Sequence, residues 1–137
     1  MAIEVRGVCP LLQVYDMPTA LRFYRDKLGF EVANTSPLLG PDKFHWALLR
    51  LGSAEIMLNT AYEFDSERPV PADRARVAAH GDTVLYFGCP DVDGAYEALR
   101  AKGVAVKPPK VAPYGMKQLP LQDPDGYELC FQWQAQE

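Results

Sequence analysis

Residues 16–30, DMPTALRFYRDKLGF, and residues 91–104, DVDGAYEALRAKGV, carry the same punctuation 75 residues apart. An aspartate opens each stretch, where a short carboxylate accepts the orphan amides of a helix's first turn. Arg25 and Lys27, or Arg100 and Lys102, fall in the last turn, where cations meet the negative end of the helix dipole, and Gly29 or Gly103 closes it. Ala20, Tyr24 and Leu28, and Ala95 and Leu99, recur at helical spacing. Two helices are predicted, one in each half of the chain.

Strand-like runs surround both. GVCPLLQV (7–14) precedes the first helix and TVLYFG (83–88) the second. FEVAN, HWALLRL and AEIMLNT follow the first, with LGS turning between the last two; VAVK, MKQLPLQ and YELCFQW follow the second, with DPDG as the corresponding turn. Asp123, Pro124 and Gly126 suit a type I turn, because proline presets φ and glycine relaxes the exit. Alternation from Tyr127 onward places Tyr127, Leu129 and Phe131 on one face, as core, and Glu128, Cys130 and Gln132 on the other. The turn glycines Gly52 and Gly126 repeat at an offset of 74, so the halves read as two copies of β-α-β-β-β in an α+β fold. The predicted organisation is a single domain over 1–137: a first module at 1–60, a linker at 61–81 and a second module at 82–137. The linker is rich in proline and charge, with a helical turn at DRARVAA, and His80 at its end reads as a surface residue.

Composition narrows the function classes. A chain of 137 residues that is 48% hydrophobic can bury a core of its own without a disulfide or metal staple. Cys9, Cys89 and Cys130 are an odd number without close spacing, and Glu4 and Arg6 interrupt any apolar leader, so a reducing cytoplasm is the expected location. No apolar run approaches the roughly 20 residues of a membrane span. With a net charge of −4 and scattered Lys and Arg, no footprint for a phosphate backbone exists, and neither nucleic acid nor membrane is an expected partner.

Three stretches, LLQVYDMPTALRFYRDKLGFEV (11–32), FGCPDVDGAYEALRAKGV (87–104) and DPDGYELCFQ (123–132), together resemble the vicinal oxygen chelate superfamily. That group contains glyoxalase I, extradiol dioxygenases, fosfomycin-resistance thiol transferases and bleomycin-resistance proteins, and the look here is that of the metal-free bleomycin-resistance-like members. The resemblance implies paired modules that curl into an open sheet around a cavity, helices outside, and a homodimer. It also implies four metal-ligand positions, which fall here on Cys9, Met57, Val84 and Cys130. Hard and borderline divalent ions want oxygen and nitrogen donors, and valine offers none, so no metal and no cofactor are expected. Two variants stay open: a site displaced onto Glu55 and Glu128, or a soft ion held by Cys9 and Cys130 as thiolates.

With the faces set by those positions, the cavity wall comprises Cys9, Leu11 and Gln13, then Glu55, Met57 and Asn59, then Val84 and Tyr86, and finally Glu128, Cys130 and Gln132. The phase of the strand at 44–51 is not fixed by the pattern: either His45 or the Phe44/Trp46 pair faces inward. Tyr114 and Gly115 match an aromatic–glycine pair of bleomycin-resistance-like members, which aims Tyr114 at the cavity mouth or leaves it as edge packing. A mostly apolar wall with few polar groups suits an apolar or aromatic organic ligand. No nucleophile is paired with a base, and no residue is assigned a catalytic role. The reading that follows is metal-free small-molecule binding; the alternatives are a metal-dependent lyase, isomerase or dioxygenase with a displaced site, and a structural dimer module with a filled cup.

Overall fold

The computed structural model describes residues 2–136. The chain divides into two compact units, Met1–Pro69 and Val70–Glu137. In the first, β1 (Leu11–Val14) leads into helix α1 (Met17–Leu21), followed by β2 (Glu31–Thr35), β3 (Trp46–Leu51) and β4 (Ala54–Thr60). In the second, helix α2 (Arg74–Ala79) precedes β5 (Val84–Gly88), α3 (Val92–Ala101), β6 (Lys110–Val111), β7 (Met116–Gln122) and β8 (Glu128–Gln134). The sheets have the orders β1-β4-β3-β2 and β5-β8-β7-β6. In each, the first strand runs parallel to the last and the remaining neighbours are antiparallel. The fold is therefore α+β, two open four-stranded mixed sheets with helices, as the repeated β-α-β-β-β pattern predicts.

Both predicted caps form. The Asp16 carboxylate accepts from the Thr19 amide at 3.1 Å, and Asp91 accepts from the Gly94 amide at 2.9 Å. Gly29 and Gly103 leave their helices at φ +92 and +79, a conformation costly for any residue with a Cβ. The first helix is not regular throughout, however. From Arg22 to Lys27 it winds as a π-helix, with the Leu28 amide reaching back to the Phe23 carbonyl. Within that turn the Phe23 and Tyr24 rings cross edge to face at 5.1 Å.

Two predicted strands are corrected. VAVK (104–107) is not a strand; pairing with β7 begins only at Lys110, because Pro108 and Pro109 cannot donate to a ladder. GVCPLLQV contributes only Leu11–Val14, although the Pro10 carbonyl already accepts from the Met57 amide at 2.8 Å. Residues 61–81 divide between the units. Residues 61–69 belong to the first; α2 forms where DRARVAA predicts a helical turn, in the second.

Helix α1 packs on β4 in the first unit, and Leu12, Val14, Ala20, Leu21, Leu49 and Leu58 are fully buried. Helix α3 packs on β7 and β8 in the second, burying Leu99, Leu119 and Leu129. Each buried leucine contributes about 1.5–3 kcal/mol. No helix among the described residues is long and apolar enough to cross a membrane.

Candidate functional site

In the first unit the strands alternate cleanly. Leu12, Val14, Ala47, Leu49, Ile56 and Leu58 are buried, so the opposite face carries the remaining side chains. The register places Leu11 beside Met57 and Met57 beside Leu48, while Asn59 stands between Gln13 and Trp46. Leu11, Trp46, Met57 and Asn59 thus meet on one open sheet face. Cys9 lies just before β1 and is half-buried; burial, and then the Glu55 charge, push its thiol up. Glu55 itself holds the Arg50 guanidinium at 2.6 Å.

The phase of the strand at 44–51 is now fixed. Trp46 stands on the open face with Leu48, and His45 does not. The His45 amide donates to Ser36 Oγ at 3.0 Å, and its side chain lines a separate cleft of about 560 Å³ at the end of β4. Phe44 is buried.

The open face of the second sheet carries the other predicted residues. Val84 lies beside Glu128, Tyr86 beside Cys130 and Gly88 beside Gln132. Across β8, Pro120 pairs with Cys130 and Gln118 with Gln132. The Gln118 amide donates to Gln132 Oε1 at 2.9 Å and to the Tyr114 hydroxyl at 2.8 Å, which ties Tyr114 to this face. Tyr86 is 58% exposed and Tyr114 70%, leaving two aromatic rings available for contact. Tyr127, Leu129 and Phe131 are core, as the alternation predicts. Cys130 departs from the expected division, being as buried as they are, and burial raises its thiol, with the Glu128 charge adding. Glu128 is exposed.

The donor chemistry at the family's metal positions is unsuitable. Val84 has no donor, Met57 offers a thioether, and the Cys9 and Cys130 thiols are both held toward the protonated form. Glu55 is engaged by Arg50, and among the described residues no three His, Cys, Asp or Glu side chains gather where an ion could sit. The residues present do not fit a divalent ion at those positions.

Two features are not foreseen from the sequence. One is the cleft, whose aromatic residues Tyr62 and Phe64 alternate with acids in TAYEFDSER, a pattern unusual for a solvated connector. The other is the docking of α2 on the DPDG turn. Arg76 donates to Asp125 at 3.0 Å, the His80 Nδ1 meets the Asp125 carbonyl at 2.6 Å, and the His80 ring stacks on Tyr127 at 4.0 Å. His80 is therefore a packing residue beside the turn.

A bleomycin-binding protein solved with bleomycin superposes with a TM-score of 0.67 at 16% identity, covering 96% of this chain and all of that one. TnmS3, an antibiotic binding protein from Streptomyces sp. CB03234, does so with a TM-score of 0.64 at 26% identity, covering 98% of this chain and 99% of that one. A glyoxalase/bleomycin resistance protein/dioxygenase from Nocardioides gives a TM-score of 0.71 at 20% identity, covering 98% of this chain and 87% of that one. No curated protein sequence matches the chain. The family model for the Glyoxalase/Bleomycin resistance protein/Dioxygenase superfamily matches residues 8–131, nearly the whole length that carries the repeated fold, and the chain belongs to that superfamily.

Proposed function

We propose that this protein binds a small apolar or aromatic organic molecule without using a metal ion. The observation that carries the reading is the chemistry of the open sheet faces. Leu11, Trp46, Met57 and Asn59 on one, with Cys9 at its edge, and Val84, Tyr86, Tyr114 and Glu128 on the other, with Cys130 buried on the same strand as Glu128, offer hydrocarbon, sulfur, aromatic rings and a few hydrogen-bonding groups. Such surfaces hold a ligand by shape and stacking, and a handful of polar groups orient it. Similarity to TnmS3, an antibiotic binding protein at 26% identity, supports the ligand class. On this reading residues 1–137 work as one functional domain, as a homodimer in the cytoplasm, and sequester or carry the ligand.

The test is calorimetric titration with bleomycin and a panel of planar aromatic antibiotics, with and without EDTA. At least one should bind with unchanged affinity in the chelator, and Trp46→Ala or Tyr86→Ala, according to which sheet face holds the ligand, should weaken it at least about tenfold. A stoichiometric Mn, Ni, Fe or Zn whose removal abolishes binding or turnover would overturn the reading.

A further inference from the structure

Within the first unit, the cleft that receives His45 is separate from the open sheet face. Besides residues 16–18 at the start of the first helix, it is lined by two loop segments, 39–45 and 60–68, and both are tied down. On one side the Arg25 guanidinium donates twice to Asp42, at 3.0 Å to each oxygen, and Gly40 bridges Lys43, so the loop that presents Leu39 and Phe44 is clamped to the first helix. On the other, the Ala61 amide donates to the Val14 carbonyl at 2.7 Å, the Tyr15 hydroxyl to the Pro69 carbonyl at 2.6 Å, and Arg68 Nε to the Tyr15 carbonyl at 2.9 Å. These bonds fasten the segment bearing Tyr62 and Phe64 at both ends. A cleft of about 560 Å³ with walls fixed in advance demands little ordering from a ligand.

Its chemistry is also specific. The lining is dominated by apolar groups, with Phe64 and Leu39 exposed at 59% and 64%. Three carboxylates, Asp16, Glu63 and Asp65, face two cations, Lys43 and Arg68. The Arg68 guanidinium is already committed, to Tyr15 and to Asp65 at 2.7 Å, and it lies over the Tyr15 ring. Counted against Lys43 and Arg68, the three carboxylates leave the cleft one negative charge in excess, in a lining that includes Tyr62 and Phe64, and acidic charge among aromatic side chains is the combination that attracts an organic cation.

We propose that this cleft is a second ligand site, selective for a monocationic organic molecule with an aromatic or branched apolar body. It is independent of the ligand proposed for the open sheet faces. The probe is benzyltrimethylammonium, with 3-phenylpropanoate as the anionic contrast, titrated into the full chain while backbone amide resonances are followed by NMR. Saturable shifts are expected at residues 39–45 and 60–68, with the anion at least about tenfold weaker. Glu63→Gln and Phe64→Ala, both at exposed positions that do not challenge folding, should each weaken the cation about fivefold or more. Trp46→Ala and Tyr86→Ala should leave this titration unchanged, whatever they do to binding at the sheet faces. Absence of saturable shifts, equal binding of the anion, or shifts confined to the open sheet faces would each overturn the proposal.

Discussion

Gly126 stands at φ +91, and a Cβ placed there would overlap the Val77 carbonyl oxygen. Replacement by alanine combines backbone strain with a clash against main chain, and Gly126→Ala should cost about 2–4 kcal/mol in denaturant unfolding. Sequence shows the turn glycine but not the clash, since the partner comes from α2. The Asp42 carboxyl illustrates an electrostatic consequence. Its hydrogen bond from Arg25 holds it below the usual carboxylate range, so the pair stabilises the fold above the unfolded-state value and the benefit fades as pH falls through the lowered one. Asp42→Asn should cost less than about 1 kcal/mol near neutrality, because the pair is partly solvated, and the difference from the parent should vanish in acid. Stability curves at neutral and acidic pH check both halves. The cysteines titrate in the opposite sense: all three thiols are raised, chiefly by burial, so iodoacetamide should label them more slowly than free cysteine at pH 8.

Helix α2 is six residues long and cannot persist by its own propensity. It is held by docking. Asp125 is 4% exposed in its side chain and Arg76 15%, so removing the guanidinium deprives a buried carboxylate of a cation. Arg76→Ala should destabilise the second unit by about 3 kcal/mol and increase hydrogen exchange across residues 74–79. The longer elements were legible from sequence because aspartate, glycine and alternating apolar residues repeated in both halves, and tertiary packing reinforced that local order. Failures fell where a local pattern met a backbone veto. VAVK has a strand's composition, yet the prolines behind it delay pairing until Lys110. The phase at Phe44, His45 and Trp46 was unreadable because aromatic rings occupy both parities, and only the pairing of Trp46 with Asn59 decides it.

At the scale of the molecule, the open sheet faces were legible in part, since alternation alone puts Leu11, Met57, Asn59, Val84 and Tyr86 away from the core. The cleft was not, because its walls are fixed by contacts such as Arg25 with Asp42 and Arg68 with Tyr15, which join positions 17 and 53 residues apart. On the proposed metal-free reading no ion contributes to folding, and exhaustive dialysis against EDTA should move the melting temperature by less than about 1 °C. The two strand orders carry a further consequence, for biosynthesis. In each unit the strand made last is an inner one: β4 separates β1 from β3, and β8 separates β5 from β7. A nascent chain leaving the ribosome therefore holds β5 without a partner strand, and β6 and β7 as an isolated pair, until residues 128–134 emerge, whereas the first sheet has its full complement once residue 60 is out. Stalled translation products ending near residue 125 should accordingly resist protease over the first unit and be cut freely over the second.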